Sequence, residues 1–264
     1  MIKNILVPVS NTAHAVTNLK FAVGLASMNG ATVYLINLYK EFSKVAGLTK
    51  VNQLIIEDSE AQLNEVLNQV DTQNVEVVAR PVKGDSFEGI ERLIKLLEID
   101  LILLSPQSIE MDDEVYLGSI TGKIVKQTMT PVMIIPGDYL FRKFETILLA
   151  FKGGYCEREE ALSPVLELAK LFNARLNLLQ VHTPDTAQES TDPNWLTMGD
   201  SFTETNNATI FQGVLEHFQS NNPDLLCVLR RQRGFFQKLW EKNRVMKKEF
   251  FTTKPLLILK ADDQ

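Results

Sequence analysis

At 264 residues the chain has room for one large domain or two small ones, since a domain takes about 100–200 residues. With 45% hydrophobic residues, 23% charged residues and a net charge of −6, the composition is that of a globular protein, and it argues against nucleic acid or an anionic membrane as the main partner. The two cysteines, Cys156 and Cys227, form neither a disulfide framework nor a zinc spacing, and no apolar run approaches the roughly 20 residues of a membrane span. A cytoplasmic location is the expectation.

Four apolar runs in the first half read as buried strands: Ile5–Val9, Ala31–Leu38, Asp100–Leu104 and Pro131–Ile135. Short runs of this kind, with few polar residues, suit a parallel sheet covered on both faces. Between them lie helical patterns at Thr12–Met28, Asn52–Val70, Phe87–Glu98 and Gly118–Met129. Ser10 or Asn11 can cap the first helix, Gly30 stands where a helix-ending glycine belongs, and Ser86 can cap the third. Val75–Val82 supplies a fifth strand. Gly137–Phe144 then forms a linker, short enough that the halves are expected to pack on each other.

The second half repeats the pattern with strands at Ile147–Phe151, Ala174–Val181, Asp224–Leu229 and Pro255–Leu259, a weaker one at Phe202–Glu204, and a last helix at Arg244–Phe251. The offsets between copies carry information. Ile5 to Ile147 is 142 and Ala31 to Ala174 is 143. Phe87-Glu-Gly-Ile90 to Phe211-Gln-Gly-Val214, Asp100 to Asp224 and Pro131 to Pro255 are all 124. A register that holds, drops by 19 and holds again marks a duplication in which one copy lost a segment. The loss falls where the first copy has the Asn52–Val70 helix; the second has a polar stretch, 184–200, which reads as a loop. Alternating strands and helices imply right-handed crossovers and two α/β domains, 1–138 and 144–264.

Catalytic patterns are sparse. Gly118-Ser-Ile-Thr-Gly-Lys123 has three residues between its glycines where a phosphate loop has four, and Ile124 follows the lysine. His14, His182 and His217 share no motif with a nucleophile and read as structural. Glu110-Met-Asp-Asp-Glu114 reads as a solvated acidic loop before it reads as a hard-cation site. Residues 230–248 hold eight basic residues and one acid. Arg230, Arg231, Arg233 and Lys242 in this stretch are candidates for anion binding. The competing reading is a solvated basic surface, with Phe235, Phe236, Leu239 and Trp240 packed inward at helical spacing.

The residues resemble a known family at several points. Asn4-Ile-Leu-Val-Pro-Val9, Gly84-Asp-Ser86, Leu117-Gly-Ser119 and Thr130-Pro-Val-Met-Ile-Ile135 are similar to segments of universal stress proteins. Arg233-Gly-Phe-Phe236 and Lys254-Pro-Leu-Leu-Ile-Leu259 extend the likeness into the second half. The whole chain resembles a tandem universal stress protein. That resemblance implies two Rossmann-like, adenine-nucleotide α-hydrolase-like domains, each a mostly parallel five-stranded sheet between helices. It also implies intramolecular pairing through the last strands, leaves a homodimer open, and expects an unidentified protein partner rather than nucleic acid or membrane.

The ATP-binding branch of the family carries Gly, two residues, Gly, nine residues, then Gly-Ser or Gly-Thr. Here the first two glycines map to Ser105 and Ser108, and the last pair to Gly118 and Ser119. Serine at the first two positions narrows the approach of backbone to phosphate. The family's acid after the first strand maps to Ser10. The tentative nucleotide site implied by the resemblance is therefore Val9, Ser10, Ser105, Ser108, Gly118 and Ser119, for ATP or AMP. In the second half the same positions are Leu229, Gln232, Lys242 and Asn243, with Lys152 in place of the acid. The expected function is a non-enzymatic stress-response protein acting through protein contacts. Two alternatives stand beside it: a nucleotide-sensing module in the first domain, and a small-molecule or lipid binder using the space of the missing helix.

Overall fold

A computed structural model of the chain describes residues 1–9, 12–41, 49–84, 86–106, 119–152, 159–184, 193–230 and 253–260. The chain divides into two compact units, one holding residues 2–108 and 117–142 and the other residues 143–264.

In the first unit the apolar runs form β1 (Asn4–Val9), β2 (Thr32–Tyr39), β3 (Val77–Lys83), β4 (Leu101–Leu104) and β5 (Val132–Ile134). They lie in the order β3-β2-β1-β4-β5, with every paired neighbour parallel. Helices α1 (Thr12–Asn29), α2 (Thr49–Leu67), α3 (Ser86–Leu96) and α4 (Ser119–Gln127) connect them. Leu101 to Leu104 are all buried, as a central strand covered on both faces requires. Helix α1 is buried nearly all round. The linker contributes to this cover. The Thr17 hydroxyl donates to the Gly137 carbonyl at 2.8 Å, and Phe21 meets Tyr139 and, edge to face, Phe141. A methyl group on Gly24 would stand 2.3 Å from the Phe141 ring. Residues 137–142 thus strap the stripe His14, Thr17, Phe21 and Gly24, which recurs at the spacing of one helix face.

The second unit repeats this plan with β6 (Thr146–Lys152), β7 (Arg175–His182), β8 (Ser201–Asn206), β9 (Leu225–Arg230) and β10 (Leu256–Lys260). Its order is β8-β7-β6-β9-β10, again parallel at every pairing. The described helices are α5 (Ser163–Phe172), a single turn α6 (Trp195–Met198) and α7 (Ile210–Asn221), with a short 3₁₀ turn at Glu159–Leu162 before α5. Where α2 runs for 19 residues in the first unit, α6 runs for four. The helix expected at Arg244–Phe251 lies outside the described residues.

Repeated sequence makes repeated local structure. The Asp100 carboxylate accepts from the backbone N–H of Lys3 and Asn4 at 2.7 and 3.0 Å. Its counterpart Asp224 accepts from those of Glu145 and Thr146 at 2.9 and 3.2 Å. Each aspartate closes the start of its unit's first strand against the start of the fourth. Gly30 and Asn173 end α1 and α5 with φ of 73° and 53°. Glu98 and Asn222 stand just beyond α3 and α7 with φ of 48° and 44°. The glycine of the Phe-x-Gly motif packs backbone closely in both copies. A methyl on Gly89 would stand 3.2 Å from the Gly84 Cα, and one on Gly213 2.7 Å from a Val181 methyl.

Strand register refines the length of the lost segment. Tyr34 pairs with Val78, and its counterpart Asn177 pairs with Ser201. Val78 to Ser201 is an offset of 123, so twenty residues are missing before β8 and one is regained before α7. The stretch read as a polar loop also ends in structure. Trp195 is 1% exposed, and the Asp200 carboxylate accepts from the Leu176 N–H at 2.8 Å. One large aromatic among polar residues supplied enough burial to fix residues 193–200.

Candidate functional site

In an open parallel sheet, ligands bind beyond the carboxyl ends of the strands, where the winding reverses. That point lies between β1 and β4 in the first unit and between β6 and β9 in the second.

In the first unit Leu6 pairs with Ile102, and three residues further on this register sets Val9 beside Ser105. Two of the sequence-predicted residues therefore meet at the switch point. Ser119 opens α4. Ser10, Ser108 and Gly118 lie outside the described residues. Val9 is 6% exposed, so its side chain belongs to the core. The Ser105 hydroxyl donates to the Oδ1 of Asn18 at 3.0 Å, and Asn18 is 2% exposed. A serine whose proton is turned inward offers lone pairs outward, a poor match for phosphate oxygens, which need donors. The described residues at this switch point thus supply little of what would hold a phosphate.

A second polar chain lies one strand away. Asn37, the register partner of Val9, donates from Nδ2 to the Gln62 Oε1 at 2.8 Å, and Gln62 donates to Asp58 at 2.8 Å. This chain ties the carboxyl end of β2 to α2, and satisfies a polar group that burial would otherwise penalise. Sequence reasoning missed Asn18, Asn37 and Gln62. The signal was present: Asn37 interrupts the apolar run Ala31–Leu38, and a polar residue in a buried strand needs a partner.

In the second unit Ala150 pairs with Val228, which puts Phe151 beside Leu229 at the positions of Val9 and Ser105. Both are buried. Trp195 stacks on Phe151 with ring centroids 4.0 Å apart and planes 18° from parallel, and Phe202 approaches the same ring. Gln180, the counterpart of Asn37 at an offset of 143, is fully buried. It neighbours Phe151 across β6 and β7, so Trp195 covers the sheet face that α2 covers in the first unit. The space expected to follow from the lost helix is occupied there by an indole. Among the anion-binding candidates, Arg230 closes β9; Arg231, Arg233 and Lys242 lie outside the described residues.

The remaining motifs take structural places. Residues 119–123 form the first turn of α4, so the tempting glycine–lysine segment is helix beyond Gly118. The acidic run 110–114 lies outside the described residues. His182 stands 3.6 Å from Glu204 across β7 and β8. Partial burial lowers the pKa of His14 and of His217 from the usual imidazole range, and full burial pushes the Cys227 thiol up. A thiol held protonated inside a sheet is a packing group, not a nucleophile. Among the described residues no three His, Cys, Asp or Glu side chains converge as a metal site would need, and no helix is long and apolar enough to cross a membrane.

Comparison with known proteins gives the lineage. The model of the Universal stress protein family matches residues 1–136. A universal stress protein from Archaeoglobus fulgidus DSM 4304 superposes with a TM-score of 0.69 at 15% identity, covering 98% of this chain and 97% of its own. A functionally unknown protein from Pseudomonas aeruginosa PAO1 gives a TM-score of 0.64 at 15% identity, covering 99% and 94%. A putative universal stress protein from Pseudomonas aeruginosa UCBPP-PA14 gives 0.63 at 16%, with the same coverages. With two copies of one parallel five-stranded plan in a single chain, the protein belongs to the universal stress protein family as a tandem member.

Proposed function

We propose that the protein is a non-enzymatic stress-response scaffold of the cytoplasm that acts through protein contacts. The observation that carries this reading is how the described residues at the two switch points are engaged. In the first unit a part-buried hydrogen bond from Ser105 to Asn18 takes the hydroxyl that would face a ligand. In the second, Phe151 and Leu229 stand at the switch point and Trp195 stacks on Phe151. Acid–base or nucleophilic catalysis needs a positioned pair of perturbed groups facing solvent, and the described residues of neither place supply one. The test is turnover of ATP by the purified full chain. No turnover above a blank is expected; hydrolysis that disappears on Ser119→Ala would overturn the reading.

A second reading has one observation in its favour. Val9 and Ser105 fall at equivalent positions where the register of β1 and β4 is extended to their carboxyl ends, so a nucleotide would sit there if anywhere. The engaged serine makes it a low-affinity site for ATP or AMP. Calorimetry should show millimolar binding that strengthens when Asn18→Ala releases the hydroxyl; no heat with ATP, ADP or AMP at millimolar concentration removes this reading.

A further inference from the structure

The first helix ends differently in the two copies. Asn29 is the last residue of α1, and Gly30 follows it with φ of 73°. At an offset of 143 the end of α5 reads Phe172 and Asn173, followed by Ala174. Asn29 is the one asparagine of the sequence that precedes a glycine. In such a pair the backbone nitrogen of the glycine can attack the side-chain amide carbon of the asparagine. The nitrogen gives its proton to water, a five-membered imide closes, and ammonia leaves. Water then opens the ring to aspartate or isoaspartate. A side chain on the following residue crowds the attack, and glycine has none. The space beside Gly30 is also clear, since a Cβ built there would meet nothing within 4 Å.

We propose that Asn29 is a site of spontaneous deamidation gated by opening of the α1 end, so that the first unit keeps a chemical record of its own local unfolding. Two hydrogen bonds close the gate. The Gly30 N–H donates to the Ala26 carbonyl at 2.8 Å, which occupies the attacking nitrogen. Asn29 Nδ2 donates to the carbonyl of buried Ile2 at 2.9 Å, which fixes the amide against the segment that enters β1. A third bond prepares the reaction. The Ala31 N–H donates to Asn29 Oδ1 at 3.1 Å, drawing electron density from the carbon under attack and stabilising the oxyanion that attack creates. The site is therefore electronically ready and geometrically shut, and the reaction waits for a local opening, which helix ends reach far more easily than the whole domain unfolds. The product closes less well than the asparagine did. A carboxylate replaces the donor that the Ile2 carbonyl used, so two acceptors face each other. The new charge also stands at the negative end of the α1 dipole. Isoaspartate lengthens the backbone just before Thr32, whose N–H donates to the Lys3 carbonyl at 2.8 Å where β1 and β2 begin to pair. This site lies at the amino ends of the strands and involves no ligand, so it stands or falls apart from the scaffold reading.

The experiment is peptide mass spectrometry of the full chain after incubation in mildly alkaline buffer, once folded and once unfolded in urea. The mass gain of an amide-to-acid exchange should accumulate at Asn29, with aspartate and isoaspartate separated by chromatography, and Asn173 should stay unmodified. The unfolded chain should react at least about tenfold faster than the folded one, the ratio that a closed helix end imposes. Asp100→Ala, which frees the backbone N–H groups of Lys3 and Asn4 beside Ile2, should raise the folded rate severalfold and leave the rate in urea unchanged. Should Asp100→Ala fail to fold, urea below the unfolding transition supplies the graded opening and should raise the rate in step. Asn29→Asp, which places the product in the chain from the start, should lower the melting temperature. Equal rates in the folded and unfolded chain, an Asn29 left intact in urea, or an Asn29→Asp chain that melts no lower than the original would overturn the proposal.

Discussion

The two units share a strand order, a pair of strand-closing aspartates and two pairs of left-handed helix ends, yet their switch points are filled by opposite chemistry. The first holds Val9 and a serine bonded to a buried asparagine; the second holds Phe151 and Leu229 under a stacked tryptophan. Loss of a helix of α2's length uncovers a sheet face, and a face left uncovered must be repacked or solvated. Among the described residues Trp195 repacks part of it. In the second copy the indole that covers for the lost helix stacks on a residue of the switch point, whereas the first copy keeps its helix and a polar pair there.

The comparison breaks most readily at Trp195. Trp195→Ala should destabilise the chain by about 3–5 kcal/mol, the scale for truncating a large buried aromatic, read by chemical denaturation. A cost under about 1 kcal/mol would mean that the indole does not replace the helix. The shared aspartates offer a matched pair. Asp100→Ala and Asp224→Ala each leave two backbone N–H groups unsatisfied and should cost about 2 kcal/mol. Asp224→Ala should cost slightly more, since Lys254 stands 3.6 Å from its other oxygen. Equal truncation costs at unequal partners would show that the ion pair contributes nothing.

The helix ends predict a gain. Glu98 holds φ of 48° where its counterpart is Asn222, and a side chain other than Gly or Asn is strained there. Glu98→Gly should stabilise the first unit by about 1 kcal/mol; a lower melting temperature would contradict this. The smallest effect concerns pH. Burial lowers the pKa of His14 and of His217 below the ordinary imidazole value of 6.5. The unfolded chain therefore takes up protons first as pH falls, and stability declines below about 6.5. His14→Gln and His217→Gln should each flatten that decline in denaturation curves measured between pH 7.5 and 5.5.

The duplication was legible because strands covered on both faces must be apolar, and eight apolar runs kept their spacing. The position of the deletion was legible for the same reason. Trp195 was not, because nothing in a polar stretch says where its one aromatic side chain will turn. The engagement of Ser105 was hidden in another way: its partner is 87 residues distant, and a hydrogen bond of that separation leaves no periodic trace.

The aspartate closures bear on synthesis. Asn4 must wait for Asp100, 96 residues later, and Thr146 for Asp224, 78 residues later. At a translation rate of about 5–20 residues per second, the first strand of the chain spends roughly 5–20 s with one flank unsatisfied. Its counterpart in the shortened copy spends roughly 4–16 s. The deletion that removed a helix from the second copy also shortened the interval in which its first strand is exposed to wrong partners as it leaves the ribosome.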